Sequence, residues 1–451
     1  MNEETLIVDL YELTMAAGYF EQQYNPTVTF ELFIRELPEP RNYLVTAGLE
    51  QVIEYLQNLS FNSGQIEYLR NLPSFKNISQ AFFDYLSTFH FSGNMYAIPE
   101  GTIVFANEPL IQIEAPLIEA QIVETYLLSM INFQTMVASK AARVIHAATS
   151  DGQQRGVMEF GSRRAHGPEA SVLAARAAYL AGFMGTSNVL AGKRFDIPVL
   201  GTTAHSWTMA FESEEDAFRR YQDVFKEKAT FLIDTYDTVQ GVENAMKVAD
   251  DFLAVRIDSG DLAEEARKIR KILDRNGRQE VKIILSSDLN EYKIQDMIRK
   301  QTPVDYFGVG TQVATSFDAP ALQAVYKMVE IAAKDHVQYR AKFSRNKVTL
   351  PGRKQIWRFA NRQVSHDLIC NSDEDYSNQA FPLIRQYIRK GKVIVDVPDV
   401  RQARRVVADH LQQLPQSLLS LTKKETYPVK ISSKLMNILN SLKNQMENKE
   451  V

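Results

Sequence analysis

The chain has 451 residues, which suits two domains better than one. Apolar residues make up 45% and charged residues 24%, with 24 Phe and 19 Tyr, so disorder as the main state is excluded. The formal net charge of -4 argues against a protein that coats nucleic acid, while a local anion site stays open.

In chain order, residues 9–19 carry a short helical pattern with Leu10, Leu13 and Ala17 along one side. TVTFELFI (27–34) alternates as a strand and runs into a turn at Pro38 and Pro40. Amphipathic helices are predicted near 46–58 and 79–87. GNMYAIPEGTIVFANEPLIQIEAP (93–116) predicts several short antiparallel strands. From about residue 116 the chain becomes helical and rich in small residues. The start lacks the apolar run of a signal peptide, and no stretch approaches the ~18 charge-free apolar residues of a membrane span. Cys370 stands alone, which rules out an intramolecular disulfide and a multi-thiolate zinc site. A cytoplasmic protein with neither membrane nor nucleic-acid partners is the expectation.

A strand-then-helix rhythm follows. Apolar runs stand at 156–160, 186–189, 198–201, 252–258, 281–286 and 306–310, with a small-residue helix at 168–181. Most of them precede a helical segment, which means parallel strands covered by helices. Polar residues gather just after each run, where barrel active sites lie. A closed (β/α) barrel fits best, with an open parallel sheet as the alternative. After residue 340 the rhythm breaks. KFSRNKVTLPGRKQIWRF (342–359) reads as strand, turn, strand. A basic stretch, RQARR, lies at 401–405, and fraying is expected from about Asn444. The predicted division is an α+β domain over 1–125 completed by part of 340–451, a barrel over 126–340, and return strands with a helical region over 341–451.

Five strand ends carry chemistry. In EFGSRRAHGPEA (159–170), Arg163 and Arg164 follow an apolar run, and a guanidinium suits a carboxylate or phosphate. Adjacent side chains diverge, so the two cannot serve one site equally. In GTTAHSW (201–207), His205 sits among Thr202, Thr203 and Ser206, able to act as base or nucleophile beside an anion. A packed, hydrogen-bonded histidine is the competing reading. His90, His146, His336, His366 and His410 have no such cluster. In RIDSGDL (256–262), Arg256, Asp258 and Asp261 end a run; the two carboxylates could take sugar hydroxyls or Mg²⁺ through water, while Asp258 or Ser259 could instead cap a helix. Ser286, Ser287 and Asp288 end the next run, with Asp288 and Glu291 spaced as a capping box. Gly308, Gly310 and Thr311 end the last one. That turn matches neither GxxxxGK[ST] nor GxGxxG, yet its glycines free backbone N–H groups for phosphate. Together these ends predict a sugar-phosphate ligand.

The stretches DLYELTMAAGYF (9–20), TFELFIR (29–35), EFGSRRAHGPEA, AGFMGTSNVLAGKRFDIPVLGTTAHSW (181–207), RIDSGDL, SSDLNEYKI (286–294), GVGTQVATS (308–316) and PGRKQIWR (351–358) stand in an order that resembles the nicotinate phosphoribosyltransferases. A weaker likeness continues through YPVKIS (427–432). The resemblance implies the fold of the type II phosphoribosyltransferases: α/β, an irregular (β/α) barrel with a second, α+β domain built from the N-terminal region and later segments. It implies an ATP-consuming carbon–nitrogen ligase of NAD salvage. Nicotinate and 5-phosphoribosyl 1-pyrophosphate would give nicotinate mononucleotide and pyrophosphate. Mg²⁺ would travel mainly with the pyrophosphate, near Asp258, ATP would be co-substrate, and the protein would be a homodimer with sites completed across the interface.

By position, His205 would be the transient phosphohistidine and Tyr11 would stack on the pyridine ring. Arg164, with Arg163 nearby, would face the nicotinate carboxylate or phosphates, and Asp258 the ribose and pyrophosphate. Arg256 would touch substrate, and Ser287, Gly308, Gly310 and Thr311 would form the phosphate end. His166 stands where many relatives have glutamine. Cys370 alone cannot form the C-terminal zinc cluster of some relatives. A sugar-phosphate binding protein without turnover is the alternative function.

Overall fold

The structure is a computed structural model that describes residues 3–332, 336–344 and 347–448. The chain divides into two units, Met1–Met136 with Ala321–Val451, and Val137–Pro320. The division falls inside one long helix, Glu124–Ala148.

The first unit is built on Thr27–Ile34, which pairs antiparallel with Pro109–Pro116 on one side and Ala324–Ala332 on the other. Its residues after Thr27 are all buried, so the expected one-sided alternation is absent. A central strand with both faces covered has no solvent side to leave polar. The ladder from Val28↔Ile331 to Ile34↔Ala324 also draws 321–340 into this unit. The barrel segment therefore ends at Pro320, short of the expected 340, and begins at Val137. The 93–116 segment supplies Asn94–Ala97, Ile103–Val104 and Pro109–Pro116, all antiparallel in their pairings.

A second sheet orders Phe381–Pro382, Lys354–Ala360, Val364–Asn371 and Val429–Ile431. The predicted strand–turn–strand over 342–359 is half right. Lys354–Ala360 is a strand, but its hairpin partner is Val364–Asn371. Residues 342–344 and 347–350 form no strand, and 345–346 lie outside the described residues. Reciprocal bonds close this loop instead: Lys342 N–H donates to Thr349 Oγ1 (2.8 Å) and Thr349 N–H to the Lys342 carbonyl (3.2 Å).

Helices Leu49–Asn58 and Gln80–Ser87 stand where predicted. Between them Ser63–Arg70 was not foreseen, although Asn62 and Gln65 form a complete capping box. The last helix, Ser433–Glu447, continues through Asn444 rather than fraying there; residues 449–451 lie outside the described set. Among the described residues no helix is long and apolar enough to cross a membrane.

Glu12, on the helix Leu10–Glu21, is 0% exposed and accepts the Thr125 hydroxyl. Burial drives its carboxyl from 4.5 up to about 8. Below about pH 4 folded and unfolded chains are both largely protonated at this group. As pH rises toward 8 the unfolded chain sheds the proton while the folded chain resists, so stability falls across that window. Glu12→Gln removes this titration. Thermal melts of variant and parent should nearly coincide at pH 4, and the variant should lead by several kcal/mol near pH 8.5, since each pH unit between 4.5 and about 8 is worth ~1.4 kcal/mol. An equal difference at both pH values would refute the assignment.

The second unit carries six parallel strands in the order Gly185–Thr186, Gly156–Glu159, Tyr306–Val309, Lys282–Leu285, Ala254–Ile257, Thr230–Leu232. The run 198–201 contributes only the bridge Thr186↔Val199. Counting that bridge, the strands follow chain order around a ring that lacks one ladder, between 198–201 and Thr230–Leu232. This is an irregular α/β barrel with one open seam, in keeping with the fold expected from the resemblance. The run expected at 186–189 is the two-residue strand Gly185–Thr186, and Val189 already starts the helix Val189–Phe195. Thr230–Leu232 was not predicted.

Two caps also differ from expectation. Asp261, not Asp258 or Ser259, caps Leu262–Arg275 by accepting from Ala263 and Glu264 N–H. Asn290, not Asp288, caps Glu291–Arg299. Glu291 is instead buried between Lys140 Nζ (2.6 Å) and Arg143 Nε (3.1 Å).

Candidate active site

The barrel unit holds a cavity of about 320 Å³ at the carboxyl ends of its strands. Phe160, Arg163, Ser187, Thr202, Thr203, His205, Arg256 and Asp258 line it. Parallel strands all end on this side, so each following loop delivers its side chains to one place.

Arg256 organises the floor. It leaves Ala254–Ile257 and donates from Nε to Ser286 Oγ (2.7 Å), from Nη1 to Thr202 Oγ1 (2.8 Å) and from Nη2 to Asp258 Oδ1 (2.9 Å). The Thr202 bond reaches the loop after 198–201, so a side chain joins elements near the seam where no backbone ladder does. The guanidinium carbon lies 5.5 Å from the Phe160 ring centre, over its face. That contact orients an aromatic wall of the cavity.

Asp258 takes a second bond, from Ser286 Oγ (2.6 Å). Its backbone N–H donates to Asp234 Oδ2 (2.8 Å), which also accepts Ser259 Oγ (2.6 Å). Asp234 Oδ1 is buried without a hydrogen bond. His205 opens the short helix His205–Met209. Its Nδ1 lies 3.2 Å from Thr235 Oγ1, and its Nε2 lies 3.9 Å from Asp258 Oδ2. The ring is thus steered from one nitrogen while the other stays accessible beside a carboxylate.

The predicted residues separate into groups. His205, Arg163, Arg256 and Asp258 meet in the cavity. Both arginines are exposed, but Arg164 does not line the cavity, because the 3₁₀ turn Ser162–Arg164 sends adjacent side chains apart. Ser287, at φ 124°, sits in a strained backbone conformation beside Ser286, the serine that joins the network. A Cβ on Gly308 would stand 2.6 Å from the Phe160 ring, so that glycine makes room for the aromatic wall. Gly310 and Thr311 begin the turn Thr311–Ala314 and do not line the cavity. Tyr11 belongs to the other unit, on Leu10–Glu21, and is 46% exposed. Its phenol is raised by burial and by the Glu124 and Glu12 carboxylates, which keeps it neutral. Asp234 and Thr235 went unnoticed because their strand, Thr230–Leu232, is three residues long. The signal was present in TFLID followed by Asp237, which caps Thr238–Val248.

Three family models match the chain. The nicotinate phosphoribosyltransferase N-terminal domain covers residues 6–132, the nicotinate phosphoribosyltransferase family 156–357, and the C-terminal domain 376–439. Nicotinate phosphoribosyltransferase pncB2 of Mycobacterium tuberculosis is 40% identical over 449 residues, covering 97% of this chain and 94% of its own. Nicotinate phosphoribosyltransferase of Bacillus subtilis is 38% identical, covering 98% and 96%. The crystal structure of human nicotinic acid phosphoribosyltransferase aligns with a TM-score of 0.85 at 25% identity, over 97% of this chain and all of that one. With the strand-end cavity and matches along nearly its whole length, the chain belongs to the nicotinate phosphoribosyltransferase family.

Proposed function

We propose that the chain carries out its family's transfer in NAD salvage, from 5-phosphoribosyl 1-pyrophosphate to nicotinate, coupled to ATP hydrolysis through a phosphohistidine at His205. The observation that carries this reading is the meeting of His205, Arg163, Arg256 and Asp258 in one cavity. In the transfer, the pyridine nitrogen forms a bond to the anomeric carbon as the bond to pyrophosphate breaks. The Arg163 guanidinium pairs with the nicotinate carboxylate, and the Phe160 ring offers a face to the pyridine. Asp258, held by Arg256 and Ser286, sets a fixed negative charge beside the developing ribosyl cation.

In the coupling step, a ring nitrogen of His205 attacks the γ-phosphorus of ATP and ADP leaves. Water later cleaves the P–N bond and releases phosphate. Thr235 at Nδ1 and Asp258 near Nε2 hold the ring for that attack. Mg²⁺ bound with pyrophosphate would supply charge neutralisation there. Asp258 and Asp234 would offer it carboxylate oxygens, since Asp234 keeps a buried oxygen without a hydrogen bond. Tyr11 acts as a ring-stacking group for the pyridine, and the protein works as a homodimer.

The test is a parallel assay of nicotinate, nicotinamide and quinolinate, each with and without ATP, following pyrophosphate. Only nicotinate should react, and ATP should raise the yield. His205→Ala should abolish acid-labile phosphate on the protein and the ATP effect with it. Equal use of nicotinamide would overturn the substrate. Ligand binding without pyrophosphate release under any condition would point to a binding protein.

A further inference from the structure

Behind the cavity lies a carboxylate that the chemistry above does not use. Glu159 ends the strand Gly156–Glu159 and is 1% exposed. Its Oε1 accepts the Gly161 N–H, and its Oε2 accepts the Thr186 hydroxyl at 2.6 Å. Thr186 Oγ1 in turn accepts the Asn188 N–H (2.9 Å), and Ser187 N–H donates to the Glu159 carbonyl (2.9 Å). One side chain therefore ties the loop after Gly156–Glu159 to the loop after Gly185–Thr186. The first loop carries Arg163 and the second Ser187, and both line the cavity.

The fit around this carboxylate is close. A Cβ on Gly161 would stand 2.8 Å from Glu159 Oε1 and 2.5 Å from the Ala314 Cβ, so only glycine lets the loop fold over the carboxylate. The Gly161 carbonyl then accepts the Arg164 N–H (2.8 Å) and the Ala165 N–H (3.1 Å), which closes the turn that presents Arg163. Burial raises the Glu159 carboxyl, and the Thr186 and Gly161 bonds oppose that rise. The cost of burying it is offset only while both loops donate to it.

We propose that Glu159 is a positioning residue for nicotinate recognition, locking the Arg163 loop and the Ser187 loop at one separation. It touches no substrate and acts through those two loops. The proposal rests on the reading that this cavity binds nicotinate.

The experiment uses steady-state kinetics of the full chain, with KM for nicotinate and for 5-phosphoribosyl 1-pyrophosphate measured separately, beside thermal melts. Glu159→Leu removes both links at similar volume. It should raise the nicotinate KM about tenfold, with a smaller change for the other substrate. Glu159→Gln can accept from Gly161 through its oxygen and donate to Thr186 through its nitrogen, so it should stay within about threefold of the parent. Thr186→Val removes the hydroxyl that bonds Glu159 and Asn188 N–H while the Gly161 bond stays, and should fall between them; it decides the matter if Glu159→Leu does not fold. An unchanged nicotinate KM in the folded variants, equal rises in both KM values, or Glu159→Gln as damaged as Glu159→Leu would overturn the proposal. Arg163→Ala separates the two readings. If it leaves the nicotinate KM unchanged, the cavity assignment itself fails. If it raises that KM while the Glu159 and Thr186 variants do not, only the positioning role fails.

Discussion

Arg163→Ala should raise the KM for nicotinate by about two orders of magnitude, while Arg164→Ala should leave it within about threefold. The two arginines are neighbours in sequence, and the 3₁₀ turn Ser162–Arg164 separates them. Arg163 lines the cavity and Arg164 does not. A guanidinium–carboxylate pair gains from charge-assisted, paired hydrogen bonds, and losing it costs about 2–3 kcal/mol. Arg163→Lys should recover only part of the loss, because an ammonium keeps the charge without the planar fork. Phosphate incorporation from ATP into Arg163→Ala should persist, since His205 is held by Thr235 and not by the arginine. Kinetics of the three variants, with labelled ATP alongside, check this. Damage confined to Arg164→Ala would reverse the assignment.

Asp367→Asn should cost about 3–5 kcal/mol of folding stability. Asp367 is 0% exposed and Arg358 1%, on the paired strands Val364–Asn371 and Lys354–Ala360. The guanidinium meets the carboxylate twice, Nε to Oδ1 at 2.9 Å and Nη2 to Oδ2 at 2.5 Å. Tyr427 adds its hydroxyl to Oδ1 at 3.1 Å. Burial first, and then Asp367, push the neighbouring Glu108 carboxyl well above the usual carboxylate range. Asparagine keeps the shape but strands a buried cation. The double variant Arg358→Met with Asp367→Leu removes both charges and should recover most of the loss. Urea unfolding should show a lower midpoint at unchanged slope for Asp367→Asn, and a partial return for the pair. A single variant within about 0.5 kcal/mol of the parent would show that the ion pair is dispensable.

Much of the barrel was legible because its evidence is local. A parallel strand needs a short apolar run, and its covering helix begins within a few residues, so strand ends announce themselves. That is why the sequence alone places His205, Arg256 and Asp258 just after apolar runs. The same local signals misled where several candidates crowd together. Asp258, Ser259 and Asp261 all suit a cap, and so do Asp288 and Asn290; the backbone chose Asp261 and Asn290. Thr230–Leu232 is too short to show a period, and Asp234 and Thr235 were lost with it.

The sequence by itself determined the parallel βα architecture, the family and the kinds of side chain offered at each strand end, since these follow from spacing and residue type. Tertiary structure decided which of those side chains meet. It put Arg163 rather than Arg164 in the cavity, and Ser286 rather than Ser287 on Arg256. It also zipped Thr27–Ile34 to Ala324–Ala332, about three hundred residues further along. The reason is that direction on a turn and register in a ladder come from packing between distant segments, and a one-residue shift in either points a different side chain at the site.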